Sequence, residues 1–521
     1  MDTFIRVFVV FSVVSSVLGG NEDPGFELFF KTNLEEYTDF PIEFENPLPN
    51  WLKGTLIRNG LGRYELGSRR FLHAFDAFGK LSSWKFYGNG SASFSTRMIE
   101  SDFYKKSCAE KDITPYLMFE GVTPDFSEVE KIEALTRGID NMNVNIYRFE
   151  RNESKYDYVV LNDFWKAYTI DPLSLETKSS VTAKVPYIKE TSPRFGFLNL
   201  LSSAHPLPEE GTSSHLTFLS SVSLVPLVKS TISLVRIHSL HQRELIAKWN
   251  VDTVPYMHSF SVTSNFAVLF ASPFYVNTLK MVKNAEPFES LDWHGDQPTT
   301  VYIVNLKTKE LTTLETENMF AMHHVNAFEL GNHIVVDVSS YPNPDFVGNL
   351  QIDILLDPAR RNGFDPHALL KRYVIDMESG LVERTHFDSP INVPFSANLD
   401  MPVINENYRH KEYCYTYGIV LKHDNMSLSN IALVKKNMCG DTTKDRSWIL
   451  KGHYPVEPWF VQRLGSVQED DGFLFVPIID GKNQRSYIAM LDAKSMELVN
   501  KAYLPTIVPY NLHGRFFEDI V

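Results

Sequence analysis

Sixteen histidines and three cysteines are the residues of this 521-residue chain whose types could hold a metal ion. Cys108, Cys414 and Cys439 are too few for a disulfide framework or a zinc site of CxxC type. Four histidines stand at the edge of an apolar or strand-like run: His205 in SAHP, His258 in YMHSFSV, His323 in MFAMHHVNAF and His513 in YNLHGRF. No two of the four are close in sequence, so they form one centre only if the fold gathers distant strands at a point. An imidazole set of that kind favours iron, copper, zinc or nickel over magnesium or calcium. Each histidine taken singly also suits a surface or a satisfied core position, and residue type alone does not select four of sixteen.

The elements that would position them are strands. Short runs rich in β-branched and aromatic residues recur, among them 156–161, 216–225, 266–271, 301–306, 333–338, 472–479 and 486–491, bounded by Gly, Asp, Asn and Pro. Helical periodicity is scarce, with 102–112 and 126–136 the best short candidates. A weak repeat runs through YTIDPLSLETKSSV from Tyr168, YIVNLKTKELTTLE from Tyr302, YVIDMESGLVERTH from Tyr373 and AMLDAKSMELVNKA from Ala489, with a degraded copy from Val235. Each copy is a strand, an Asp or Asn, a polar turn and a second strand, which reads as the inner part of a propeller blade. A pair of two-sheet sandwiches would also accommodate strand–turn–strand units. In a propeller every inner strand reaches one axis, so remote histidines can converge there. Seven blades would average about 70 residues each, longer than a compact blade, so inserted loops must carry the site.

Composition narrows the partners. The chain is 43% hydrophobic and 22% charged, which excludes wholesale disorder. Its net charge of -14 without a long basic run makes it a poor nucleic-acid binder. Thirty-seven Phe and 23 Tyr suit strands and apolar pockets. Residues 1–20 combine a basic start, an apolar run and Gly19-Gly20, the pattern of a secretory signal peptide; 21–521 is then a single mature domain. Sequons at Asn89, Asn152 and Asn425 fit a lumenal or extracellular location. No later stretch has the length of a membrane span.

Asn50–Gly67 (NWLKGTLIRNGLGRYELG) followed by Phe71–Phe86 (FLHAFDAFGKLSSWKF) resembles the opening of the carotenoid cleavage oxygenases, the family of the animal carotene oxygenases and the retinoid isomerohydrolase of the eye. The likeness continues through NVNIY at Asn143, SAHP at Ser203, MHSFSVT at Met257, HHVNAFELGNHIVVDV at His323, YPVEPWFV at Tyr454, EDDGFLFVPII at Glu469 and LHGRF at Leu512. It covers nearly all of 21–521 in the family's order.

The resemblance implies an all-β fold, a seven-bladed β-propeller with long loops and short helices forming a cap over one face. It implies a non-haem Fe(II) held by His205, His258, His323 and His513, with His324 structural. Carboxylates at matching positions would accept from three imidazoles: Asp163 for His258, Asp400 for His323 and Glu457 for His513. Cleavage of a carotenoid or apocarotenoid double bond by O₂, giving retinoid-type carbonyl products, is the implied reaction. A retinoid isomerase, a non-catalytic secreted carotenoid or retinoid carrier and a metal-free interaction propeller are the other readings of the scaffold.

The chain departs from the family pattern. Asp163 and Asp400 stand where Glu is expected, one methylene shorter, so each hydrogen bond to histidine needs a closer backbone or a bridging water. Ala77 stands where a glycine follows Asp76, in a turn expected to be tight. The signal peptide is unusual beside cytosolic or intracellular-membrane relatives. An enzyme drawing an insoluble polyene from a bilayer needs an apolar face beside basic residues. Tyr116, Leu117, Met118 and Phe119, near Lys105, Lys106 and Lys111, and Phe274 in PFYVNTLKMV are the expected contacts of this peripheral membrane face and tunnel entrance. The sequence assigns no oligomeric state.

Overall fold

Strands that are apolar on both faces must be covered on both faces, and this decides the architecture. Lys53–Arg63 is buried at nearly every position. Its Leu56 packs with Phe475 and Ile488, while the next residue, Ile57, packs with Ile146 and Val160. Successive side chains of a strand point to opposite faces, so this strand belongs to a sheet sandwiched between two others. The computed structural model describes residues 23–152, 155–190, 197–225, 227–284, 288–387 and 398–521; the expected signal peptide 1–20 lies outside them.

Seven antiparallel sheets of four or five strands follow one another along the chain as the blades of a β-propeller. The innermost strands of blades 1 to 6 are Asn511–Phe517, Asn145–Asn152, Phe197–Ser202, Ser261–Val262, Phe320–Leu330 and Asp400–Ile404. In blade 7 both His453–Pro455 and Trp459–Gln462 pair with Gly472–Asp480. Inner strands of neighbouring blades touch, as Asn511–Phe517 does with Asn145–Asn152 on one side and Trp459–Gln462 on the other. The C-terminal strand Asn511–Phe517 pairs with Lys53–Arg63 and so joins blade 1, whose other four strands come from the N-terminal part of the chain.

Antiparallel order fixes where the insertions go. Connections that leave second strands emerge at one end, and the long ones, 64–77, 272–298 and 342–368, are all of this kind. Residues 99–144 leave the fourth strand of blade 1 in the same direction. Together they form the cap with short helices Asp102–Glu110, Glu128–Arg137 and Thr278–Asn284, the first two close to the helical candidates of the sequence. Ser127 and Glu130 close a capping box at the start of the second helix, which satisfies two otherwise orphaned backbone donors.

The sequence repeat occupies a different place from the one expected. Its copies are the third and fourth strands of blades 2, 4, 5 and 7, the outer hairpin and not the inner one. The conserved geometry explains the pattern. Asp171, Asn305, Asp376 and Asp492 each accept from the backbone N–H two and three residues on. A left-handed residue then closes each turn: Leu175, Lys309, Gly380 and Met496, with φ of 60°, 66°, 73° and 62°. Asp376→Ala, losing two such bonds at a mostly exposed turn, is expected to lower the denaturant midpoint of unfolding slightly.

Cys414 and Cys439 form a disulfide across blade 6, bracketing the hairpin of Tyr415–Val420 and Ala432–Asn437. Three cysteines are too few for a framework, and the single bridge they make staples one blade. Cys108 is free and exposed. Ala77 takes φ -54° and is fully buried, so no left-handed turn exists there and alanine fits without strain.

Candidate functional site

The four histidines singled out in the sequence meet on the propeller axis. The potential ligand atoms of His205, His258, His323 and His513 all lie within 4.8 Å of one another. Ring centroids are 4.4–6.0 Å apart, and five of the six pairs are edge-to-face.

Local backbone devices aim each ring. Ala321 to Asn326 carries two register shifts in its pairing with His333–Tyr341, one on each side of His323–His324. Bulges of this kind re-aim side chains beside functional sites. The first imidazole of the pair turns to the axis. His324 turns away to Ser261 (2.7 Å) and the Phe270 ring, which is the structural place expected for it. A Cβ at Gly514 would stand 2.5 Å from the Ile57 carbonyl, so glycine after His513 lets that strand close on Lys53–Arg63. Serine clamps link neighbouring blades. Ser203 Oγ donates to the His258 carbonyl and accepts from the His205 N–H. Ser259 Oγ donates to the Met322 carbonyl and accepts from the His324 N–H, repeating the clamp one blade on.

Each of three imidazoles donates through Nδ1 to a carboxylate at 2.7 Å: His258 to Asp163, His323 to Asp400 and His513 to Glu457. The two aspartates therefore reach as directly as the glutamate, and no bridging water is needed. The backbone comes closer instead. At Asp400 a register shift and the left-handed Met401 (φ 52°) push the carboxylate inward. The facing Gly418 permits this approach, since a Cβ there would meet the Asp400 carbonyl at 2.5 Å. Asp163 is anchored by Ser202 N–H on its carbonyl and Ala204 N–H on Oδ1. His205 has no carboxylate, as expected; its Nδ1 lies 3.5 Å from the Asn145 amide nitrogen.

With Nδ1 committed as a donor, Nε2 of these three rings carries a bare lone pair. Nε2 of His323 is buried without a hydrogen-bond partner. Nε2 atoms of His205 and His258 face each other at 3.0 Å. Burial, reinforced by the neighbouring imidazoles, holds His205 and His513 well below the usual histidine range, so both stay neutral. Burial would raise Asp400, but its pairing with His323, with further hydrogen bonds from Tyr341 and Met401, outweighs it and the group lies below the usual carboxylate value. Burial pushes Glu457 up to about 7 against the pull of Arg58. Orphaned inward-facing lone pairs and outward carboxylates are the arrangement that fits a bound divalent transition-metal ion.

A cavity open to solvent, about 1630 Å³ counting that open space, reaches this cluster, with His258, His323 and His513 in its wall. Phe75, Phe119, Phe164, Tyr256, Tyr341 and Tyr510 contribute to its aromatic lining, and aliphatic residues come from both the cap and the blades. Sequence reasoning missed Tyr256, Tyr341 and Arg58, which bond the three carboxylates from behind; Arg58 and Tyr256 lie inside the quoted motifs, but residue type alone does not assign them that contact.

The expected membrane-facing residues are corrected by their burial. Tyr116, Leu117, Met118 and Phe274 are 8%, 2%, 3% and 3% exposed and belong to the core. Tyr116 stacks on Phe103, and Phe274 packs edge-on against Phe320 and Phe288. Their apolar character serves the packing of cap on propeller. Phe119 is half-buried and lines the cavity. Asn89, Asn152 and Asn425 are exposed.

A family model described as retinal pigment epithelial membrane protein matches residues 30–518. The carotenoid cleavage dioxygenase 8 homolog A of Oryza sativa chloroplasts is 27% identical, aligned over 91% of this chain and 84% of its own. The beta,beta-carotene 15,15'-dioxygenase of Gallus gallus is 24% identical over 95% of this chain and 98% of its own. A solved cobalt-substituted oxygenase of Synechocystis superposes with TM-score 0.77 at 22% identity, covering 95% of this chain and 98% of that one.

Proposed function

This chain belongs to the retinal pigment epithelial membrane protein family, the carotenoid cleavage oxygenases, and from that premise we propose that it is an Fe(II)-dependent dioxygenase cleaving one conjugated double bond of a carotenoid or apocarotenoid. The observation that carries the reading is the meeting of four imidazoles with an aromatic-walled cavity. His205, His258, His323 and His513 would hold the iron, and Asp163, Asp400 and Glu457 keep three of them in the ligating tautomer. The iron, when bound, supplies the activation of O₂ that a closed-shell alkene requires. One oxygen atom then goes to each carbon of the broken bond, giving two carbonyl products. The chain's own part is to keep the ligand set rigid, to exclude water with the apolar wall and to hold the polyene against the cluster. The direct 2.7 Å contacts of both aspartates remove the ground for a weakened metal site, and so favour the enzyme over a non-catalytic carrier.

The test is iron content of the purified protein together with loss of polyene absorbance under O₂ in detergent. Iron near one per chain with aldehyde formation is the expected result. Tight polyene binding without turnover would replace the enzyme by a carrier, and a changed double-bond geometry without cleavage would replace it by an isomerase.

Peripheral contact with a membrane is part of this reading, through different residues from those the sequence suggested. Val129 and Ile132 on helix Glu128–Arg137 are 77% and 65% exposed, and Leu279 on the adjoining helix Thr278–Asn284 is 84% exposed. Met281, on the same helix as Leu279, lines the cavity. Leu227 and Val228, in a turn leaving the same end of blade 3, are also exposed. No helix among the described residues is long and apolar enough to cross a membrane. Ile132→Asp with Leu279→Asp is expected to cut co-sedimentation with phosphatidylcholine vesicles several-fold while leaving the unfolding midpoint unchanged.

Passage through the secretory pathway is proposed on the Cys414–Cys439 bridge and the exposure of all three sequon asparagines, beside the N-terminal pattern of 1–20. Glycosidase treatment of protein from a eukaryotic host should then increase its electrophoretic mobility.

A further inference from the structure

We infer that Tyr341 is a positioning residue for the metal centre, acting through Asp400 on His323; this rests on the metal-centred reading above. An aspartate that replaces a longer acid keeps its hydrogen bond to histidine only if its single side-chain torsion pair is held in the productive orientation. Oδ1 of Asp400 accepts from His323 Nδ1 at 2.7 Å and from Met401 N–H at 2.8 Å. Oδ2 is left facing the apolar wall, where an unbonded carboxylate oxygen would be costly. The Tyr341 hydroxyl donates to it at 2.6 Å.

The tyrosine is itself fixed. It ends the strand His333–Tyr341, is 2% exposed and stacks on Phe346 with ring centroids 4.8 Å apart and planes 8° from parallel. The chain from the Phe346 ring to the His323 imidazole is therefore continuous, through one stack and two short hydrogen bonds.

The other two carboxylates support the assignment by contrast. Asp163 takes a longer bond from Tyr256, 3.3 Å, and has the Ala204 N–H as a second anchor. Glu457 reaches His513 with its extra methylene and is backed by Arg58. Both short acids thus pair with a tyrosine of the cavity wall and the long one with a buried arginine. Tyr341 and Phe346 line the same cavity as His323, so this wall serves the metal and the substrate together.

The test uses cobalt(II) as probe in the full chain and follows release to a chelator and the visible ligand-field spectrum. Tyr341→Phe should raise the release rate about tenfold and shift the cobalt bands. Tyr256→Phe should do so by a smaller factor. Asp400→Glu alone should also weaken binding, because the added methylene has no room against the tyrosine hydroxyl. Combining it with Tyr341→Phe should restore retention, a non-additivity that general loss of packing would not produce. Phe346→Leu, which keeps the hydroxyl and removes its support, should act in the same direction as Tyr341→Phe. Cobalt release and spectra identical to the parent in Tyr341→Phe and Phe346→Leu would overturn the inference alone. A parent chain that takes up neither iron nor cobalt would sink the metal reading and this inference with it.

Discussion

His258→Ala is expected to reduce bound iron below a tenth of the parent's and to lower polyene cleavage by at least ~100-fold, since losing even a partner of a ligand costs about 10–100-fold. The substitution removes one of four lone pairs and leaves Asp163 in the protein without the imidazole that its Oδ2 holds at 2.7 Å. Tyr256 and Ala204 still donate to that carboxylate, so the local fold persists around an Asp163 that has lost its imidazole. The matched control is His324→Ala. That ring is bonded to Ser261 and points away from the axis, and burial of the imidazole lowers its pKa to about 3, so it remains neutral and structural. Its loss should cost stability through packing and leave iron content intact. Metal analysis of the two variants after gel filtration decides the matter. Full iron in His258→Ala, or iron lost in His324→Ala, would contradict the ligand set.

How much of this was legible beforehand depends on the kind of interaction. The four ligand positions stood out because each sits in a short motif at a strand edge, and the family resemblance ordered them. The blade repeat was visible for a local reason. Asp376 and its counterparts satisfy backbone donors two and three residues away, so the signal survives in a linear sequence. Its placement in the blade was not visible, because inner strands such as Phe320–Leu330 are interrupted by bulges around functional residues and lose the regular pattern. The reach of Asp400 was illegible for the same reason. It depends on a bulge, on Met401 in a left-handed conformation and on Gly418 in a strand met only through the fold. Tyr116, Leu117, Met118 and Phe274 were misplaced because an apolar run beside lysines looks alike whether it packs inward or faces lipid.

Arg58→Met should give the largest loss of folding stability of any single change at the site, about 3–5 kcal/mol. Arg58 is fully buried, and its Nη2 donates to Glu457 Oε2 at 3.0 Å and to the Leu512 carbonyl at 3.2 Å. Breaking a buried pair costs far more than the pair contributes, because the surviving charge, here Glu457, stays buried with the uncharged His513 N–H beside it. Glu457, already raised to about 7 by burial, would then take a proton or move. Either response disturbs the acceptor that holds His513, so metal affinity should fall about 10–100-fold in parallel. Arg58→Met combined with Glu457→Gln separates the two effects. Removing both charges should recover much of the unfolding free energy in denaturant titration, while the weaker amide acceptor leaves chelator competition impaired. Equal stability of Arg58→Met and the parent would show that the Arg58–Glu457 pair does not hold this end of the axis together. Recovery of metal retention along with stability in the double variant would show that the carboxylate acts on His513 only through packing.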